Sequence, residues 1–484
     1  MAFNALYLGA LVLGAAAHPS QYGSGKSGAS GRTTINVNAA QKYQPFDGMG
    51  FSEAFQRGTQ IYGAGGLSAA NTSRVLDLLY SNVNGAGMTI LRNGIGSSVN
   101  HPYDLMPSIE PVSPGSPNNT PTYDWEGTIK PGFGLDGGQL RLTKDAIARG
   151  VQKIYADAWS APAFMKNNSN ENYGGYLCGV TGIDCETGDW RQAYANYLVQ
   201  YLKFYEQEGI NIDYVGFLNE PDLNVSYASM LSDGQQAADF LTVLYPTLEA
   251  SHLKTEIACC DGSGWEQNRE RLAGLQAAGA EYTLGLVTAH GYSSPPGAPF
   301  ATDRKVWETE WADLEGPHTL AWHENGTSGE GLTWANNIQQ LFAVSNVSAT
   351  LYWIGADNTT SNSALILLNN DTVHVSKRLW AFAQYSRFVK PGATRIEVAS
   401  SNAALNMTAF ENADKTVAVQ VINNSNYTQA VTVQGLPVGK HSSVVGWLTN
   451  NEHDLSKMGV QRVAGGGIGT SIPALSMMSF VASG

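Results

Sequence analysis

Residues 213–221 read DYVGFLNEP. Tyr214 to Leu218 is an apolar run of strand length, and Pro221 lacks the N–H that a sheet ladder needs. The stretch therefore predicts a strand closing on Asn219 and Glu220, with a carboxylate at its terminus. Seven other segments share this texture: FDGMGFSEA (46–54), MTILRNG (88–94) and KIYADAWSAP (153–162) before it, and EIACCDGSG (256–264), LGLVTAHGY (284–292), KVWETEW (305–311) and ATLYWIGA (349–356) after it. Amphipathic stretches lie between most of them. NTSRVLDLLYS (71–81) carries Leu at helical spacing, DWRQAYANYLVQYLKFYEQEG (189–209) ends on a glycine stop, and VSKRLWAFAQYSRFV (375–389) closes the series. Eight strand–helix units in succession predict an α/β chain with a (β/α)8 TIM barrel over residues 45–390.

Past Pro391 the texture changes. RIEVAS, NMTAF, TVAVQVIN, QAVTVQGL, HSSVVGWLT and ALSMMSFVAS are short alternating runs separated by turn residues, which predicts a side β-sandwich over 391–484. Residues 18–44 hold a Gly/Ser-rich lead-in and a strand, Thr33 to Asn38, expected to join an edge of that sandwich and tie the two domains together. Residues 1–17, MAFNALYLGALVLGAAA, have the apolar run and small-residue end of a signal peptide, although the start lacks Lys or Arg. Export would give meaning to the eleven Asn-x-Ser/Thr sites, Asn71, Asn167, Asn224, Asn346 and Asn406 among them. Of the four cysteines, Cys178 and Cys185 share one loop and are the favoured disulfide; Cys259 and Cys260 are adjacent, either a vicinal bridge or two buried thiols.

Composition narrows the partners. With 484 residues and a 43% hydrophobic fraction, the chain can bury a large core without disulfide staples. Only 14% of residues are charged, against 53 glycines and abundant Asn, Ser and Thr, so polarity comes from neutral hydrogen-bonding groups. Lys and Arg number 28 against 41 Asp and Glu, a net −13, which gives no attraction for nucleic acid or for an anionic membrane. No later apolar stretch is long enough to span a bilayer. A monomer is expected.

In a barrel of this kind the strand ends carry the chemistry. The fourth predicted strand ends on Asn219-Glu220-Pro221 and the seventh on Trp307-Glu308-Thr309-Glu310-Trp311. Two carboxylates on opposite sides of one mouth, one protonated and one ionised, are what glycoside hydrolysis requires. Glu308 shares strand parity with Glu310, so both are expected to point inward, Glu308 as a buried structural acid or as a rival nucleophile.

Together PFDGMGFSEAFQRG, ILRNGIGSS, SIEPVSPGSP, YADAWSAPAFMK, VGFLNEPD, TAHGYSSPP, VWETEWADLEG and LYWIGAD resemble family 30 of the glycoside hydrolases, and within it the fungal xylan-active subfamily 7 of glucuronoxylanases, endo-β-1,4-xylanases and xylobiohydrolases. The resemblance covers about residues 45 to 390, and the family's side β-domain follows. It implies Glu220 as acid/base and Glu310 as nucleophile, Asn219 on the sugar 2-OH, Arg92 and Tyr292 beside the nucleophile, and Trp353 as a hydrophobic floor. His290 and Trp159 would face the mouth, and Glu53 would line the pocket. Arg57 would read a glucuronate branch, the bland alternative being a solvated surface arginine. Xylan is the implied partner, and the chemistry calls for no cofactor and no metal. The competing readings are a β-1,6-glucanase or glucosylceramidase on the same scaffold, and a silent carbohydrate-binding protein. The long segment from Ser97 to Lys130 either blocks one end of the cleft, giving exo action, or lies flat, giving internal cutting.

Overall fold

The computed structural model describes residues 32–99, 106–436, 443–462 and 467–483. Residues 1–17, read above as a signal peptide, lie outside them. Eight parallel strands form a closed barrel: β2 (Gly48–Ser52), β3 (Ile90–Ile95), β4 (Lys153–Ala158), β5 (Tyr214–Gly216), β6 (Glu256–Gly262), β7 (Leu284–His290), β8 (Lys305–Trp311) and β9 (Ala349–Asp357), the ring being completed by pairing of β8 with β9. Its interior is packed by Ile90, Tyr155, Tyr214, Leu286, Trp307 and Leu351, all buried, so the barrel is a core and not a pore. Around it run α1 (Gly58–Ile61), α2 (Ala69–Tyr80), α3 (Gln139–Ala148), α4 (Arg191–Gln207), α5 (Gly234–Ser251), α6 (Trp265–Ala277), α7 (Gly331–Ala343) and α8 (Lys377–Ser386). Helix α5 starts on a capping box, Asp233 taking the Gln236 N–H at 2.8 Å while the Gln236 side chain takes that of Asp233.

The series departs from eight strand–helix units in one place. No helix joins β7 to β8; the connection 291–304, GYSSPPGAPFATDR, carries three prolines that would interrupt one. A hairpin, β10 (Ala364–Asn369) with β11 (Thr372–Val375), also extends the sheet beyond β9.

The second sheet has nine strands in the order β17-β16-β19-β14-β13-β12-β1-β15-β18. These are β1 (Thr33–Phe46), β12 (Ala393–Ser400), β13 (Leu405–Glu411), β14 (Val417–Asn423), β15 (Gln429–Gln434), β16 (Ser443–Thr449), β17 (Ser456–Arg462), β18 (Gly467–Ile472) and β19 (Ser476–Ser483). Strand β1 corrects the expectation twice. It runs to Phe46 and not Asn38, and it sits inside the sheet, antiparallel to β12 and parallel to β15, not at an edge. Its alternating Ile35 and Val37 enter the sandwich core with Val419, Val433 and Phe480. Strand β14 is buried on both faces: Val419 and Val421 point into that core, while Ala418 and Ile422 meet the barrel's outer layer. Gln384 of α8 clinches the contact, donating to Thr449 at 2.8 Å and accepting from Ser479 at 2.8 Å.

Candidate active site

Arg92, inside β3, is the hub of the barrel's upper layer. It is fully buried, and a guanidinium is tolerated there because Nη1 and Nη2 face oxygens from four other strands or strand ends, Nε being left without a hydrogen-bond partner among the described residues. Nη1 donates to Glu310 Oε2 at 2.5 Å; Nη2 donates to Asp157 Oδ2 at 2.7 Å and Asn219 Oδ1 at 2.6 Å and lies 3.7 Å from Asp261. The Trp159 ring packs under its Cζ at 4.6 Å. Burial alone would pull its pKa down, but Glu310, Asp157 and Asp261 outweigh burial and hold the charge firmly. Because Asn219 gives its Oδ1 to Arg92, its Nδ2 is the group it has to offer a ligand.

Glu220 does not close the β5 ladder as its sequence implies. Pairing stops at Gly216, and Glu220 follows four residues on with φ of 48°, in the left-handed region, its N–H bound to the Asp261 carbonyl at 2.8 Å. Oε1 meets His290 Nδ1 at 3.2 Å and Oε2 accepts from the Tyr227 hydroxyl at 3.2 Å. On β8 the expected parity also fails. Trp307 points into the barrel interior, and Glu308 points outward, taking the Trp265 indole N–H of α6 at 2.7 Å. Strict alternation would send Glu310 outward as well, but the register with β7 slips between Ala289 and His290, and the irregularity brings Glu310 to Arg92. Burial pushes the Glu308 carboxyl well above the usual range, which favours its neutral, hydrogen-bonding form.

His290, at the end of β7, stands between these groups. Nε2 lies 3.1 Å from Asp261 Oδ1 and 3.9 Å from Glu310 Oε2. Burial would lower its pKa, yet Glu310, Asp261 and Glu220 together raise it well above the ordinary histidine value. One carboxylate oxygen each from Glu220 and Glu310 and one ring nitrogen of His290 all lie within 4.8 Å of one another. Three such donors could in principle gather round a metal ion, but both ring nitrogens already face carboxylates. Burial pushes the Glu310 carboxyl up, and His290 and Arg92 pull against that shift. The Tyr292 phenol faces Glu310 without a well-formed hydrogen bond.

An aromatic wall flanks the pair. Phe55 packs on Trp159 at 5.5 Å, on Tyr227 at 5.7 Å and on Trp353 at 6.1 Å. Trp159 is buried and Trp353 half-buried, so Trp353 presents the more open face. Glu53 is not brought to the carboxylate pair. Its carboxyl is fully buried against the backbone of Gly355 and Ala356, beside Asp357, and burial raises its pKa strongly. Arg57 begins α1 at the rim, one-third exposed, with Nε 3.2 Å from Asp357; the half-buried Lys130 is close enough for the two cations to repel. Cys178 is bonded to Cys185 with Cα atoms 5.6 Å apart, and Cys259 to Cys260. Sequence reasoning singled out neither Asp157, Asp261, Phe55, Tyr227 nor Asp357. Asp157 and Asp261 both sit in quoted strand segments, and a charged residue inside an otherwise buried strand was the available signal.

Comparison with known proteins adds to this geometry. Residues 392–480 match the model described as the glycosyl hydrolase family 30 beta sandwich domain, and residues 67–386 match that of glycosyl hydrolase family 59. The catalytic domain of the family 30 xylanase C from Talaromyces cellulolyticus is 46% identical, with 93% of this chain and 100% of that one covered at a TM-score of 0.85. Endo-1,6-beta-D-glucanase neg1 of Aspergillus fumigatus is 25% identical over 453 residues, 85% of each chain. Glucuronoxylanase XynC of Bacillus subtilis is 33% identical over 110 residues, 22% of this chain and 25% of its own. The barrel's model match is to a second glycosyl hydrolase family, whereas the 46% identity extends through barrel and sandwich alike. The chain belongs to glycoside hydrolase family 30 and is a glycosidase.

Proposed function

We propose that the protein is an exported, retaining β-1,4-xylanase that cuts within xylan chains. The observation that carries the mechanism is the approach of a Glu220 and a Glu310 oxygen to within 4.8 Å, the short spacing of enzymes that form a covalent intermediate, whereas inverting enzymes hold their carboxyls about 6.5–9.5 Å apart. Glu310, held by Arg92, attacks the anomeric carbon while Glu220 gives its proton to the glycosidic oxygen. The C–O bond breaks, the leaving sugar departs as an alcohol, and a glycosyl ester forms on Glu310. Glu220, now a carboxylate, takes a proton from water as the water oxygen attacks the same carbon. The ester opens, and both carboxyl groups return to their starting state. Asn219 Nδ2 reaches for the sugar 2-OH, a bond that tightens as positive charge develops on the ring.

The 46% identical xylanase favours xylan; the 25% identical glucanase makes β-1,6-glucan the reading to test beside it. After Met106 the long segment runs out over α4, with Ser108 on the Tyr197 hydroxyl at 3.2 Å and Trp125 stacked on Phe204 at 5.0 Å, which supports internal cutting. The signal-peptide reading of residues 1–17 supports export, and exposed Asn167, Asn224 and Asn346 are the positions for glycans. Asn423 is not one, since it is buried with Nδ2 turned to the carbonyls of Tyr427, Ile472 and Pro473. Glu310→Gln should lose on the order of a thousandfold or more of xylan hydrolysis. A variant that degrades xylan as fast as the parent, or a parent that cleaves β-1,6-glucan and leaves xylan intact, overturns the proposal.

Arg57 with Lys130 supports a preference for acidic branches, because the two cations stand close enough to repel and Arg57 alone of the two pairs with Asp357. Replacing Arg57 by Ala should lower kcat/KM on glucuronoxylan about tenfold, one rim-exposed charged hydrogen bond's worth, and leave unbranched xylo-oligosaccharides unchanged. Equal loss on both substrates would show that Arg57 only braces Asp357.

A further inference from the structure

Asp261 lies beneath the acid/base and does not reach the cleft; it is fully buried at the end of β6. Its backbone has φ of 47°, and the register with β7 slips between Cys260 and Gly262, so the side chain turns into the ring of strands. There the carboxylate is surrounded by donors. Oδ2 accepts from the Tyr155 hydroxyl at 2.5 Å and Thr288 Oγ1 at 2.6 Å; Oδ1 accepts from Thr309 Oγ1 and faces His290 Nε2 at 3.1 Å. A carboxyl taking this many donors is held as an anion, and its pKa is pulled down to about 2, the donated bonds and Arg92 outweighing burial. Nε2 of His290 must then carry a proton. The other ring nitrogen, Nδ1, faces Glu220 Oε1 at 3.2 Å.

We infer that Asp261 is a positioning residue for the acid/base: it keeps His290 as an imidazolium whose Nδ1–H fixes Glu220 Oε1, while its own carbonyl holds the Glu220 backbone N–H. The inference rests on Glu220 being the acid/base. The imidazolium assigns the two oxygens of Glu220 different jobs. Oε1 accepts from His290, so the transferable proton belongs on Oε2, the oxygen beside Tyr227. His290 is faced by Glu220 beyond β5, Asp261 on β6, Glu310 and Glu308 on β8, Asp157 on β4 and Tyr292 on its own loop, with Arg92 on β3 against the same Asp261 and Glu310.

Two measurements test it. In 15N-histidine NMR of the whole protein, the His290 ring, assigned by difference with His290→Gln, should show both nitrogens protonated from pH 4.5 to 8. A neutral ring at pH 6, with a lone pair on Nδ1 accepting the Glu220 proton, overturns the inference, and this result does not depend on Asp261→Asn folding. In Asp261→Asn the ring should turn neutral below pH 7. Its kcat/KM should fall about 100-fold on xylo-oligosaccharides, whose alkoxide leaving group needs a proton, and within about threefold on a nitrophenyl xylobioside, whose leaving group needs none. Equal loss on both substrates in a folded variant reduces Asp261 to a structural acid and overturns the inference. Full xylan activity in Glu220→Gln would instead remove the reading beneath it, so the two failures are told apart.

Discussion

Glu308 and Glu310 stand two residues apart on β8 and meet opposite surroundings. Glu308 faces the helix layer, holds one indole N–H and makes no ion pair among the described residues; Glu310 faces the mouth against Arg92 and His290. A neutral acid whose work is to accept one hydrogen bond can be exchanged for its amide. Glu308→Gln is therefore expected to keep xylan hydrolysis within about threefold of the parent, since the amide oxygen still accepts from Trp265. A loss as deep as that of Glu310→Gln in this steady-state assay would mean that the roles on β8 have been assigned the wrong way round. The two acids were legible in the sequence as candidates, and their parity predicted a shared direction. What separated them is one slip in strand register, which no residue type announces. The same holds for Asp157 and Asp261. Their partners, Arg92, His290, Thr288 and Thr309, come from other strands, and only barrel closure brings them within hydrogen-bond reach.

At the scale of elements, the eight barrel strands follow from strand-length, largely apolar runs, and each of the eight predicted segments coincides with one, β3 and β9 running one residue past theirs. Elements whose partners are remote were less legible. Strand β1 continues past Asn38 through AQKYQPF, a stretch with little apolar alternation. It is held as a strand by β12, from Ile35 opposite Ser400 to Phe46 opposite Ala393, with bulges absorbing the mismatch. The hairpin of β10 and β11 turns at Asn370, whose φ is 49°; Asp371 beside it accepts from Ser68 N at 2.8 Å, a contact across 303 positions of chain. Shortness hid the end of β5. Its Gly216 sits where an added Cβ would fall 2.1 Å from Asp157 Oδ1, so the strand is narrowed to let the Arg92 cluster through. The elements that carry the site are thus those where regular pairing stops or slips: after Gly216, between Cys260 and Gly262, and beside Glu310.

For the whole molecule, burial of acids sets how stability responds to pH. Glu110, in the segment that crosses α4, is raised by burial to about 7, and Asp136, despite accepting from Tyr201 and Tyr205, is raised by burial to about 6. Unfolded, both would titrate near 4. Between pH 4 and 7 the folded chain therefore binds more protons than the unfolded one, and stability rises as pH falls through that window. Asp261 works in the opposite sense: lowered to about 2, it contributes stability above pH 4 that is lost as pH falls toward 2. The thermal midpoint should accordingly climb from pH 7.5 to about 4.5 and fall again below pH 4. Glu110→Gln isolates one contributor, because its shift arises from burial alone. At pH 4.5 the native carboxyl is already neutral, so the amide should leave the midpoint unchanged. At pH 8 the parent carries a buried anion that the variant lacks, and the variant should melt about 1–3 °C higher, the scale that about 1–2 kcal/mol produces in a domain of this size. A midpoint that moves equally at both pH values would place the effect in packing and not in the charge.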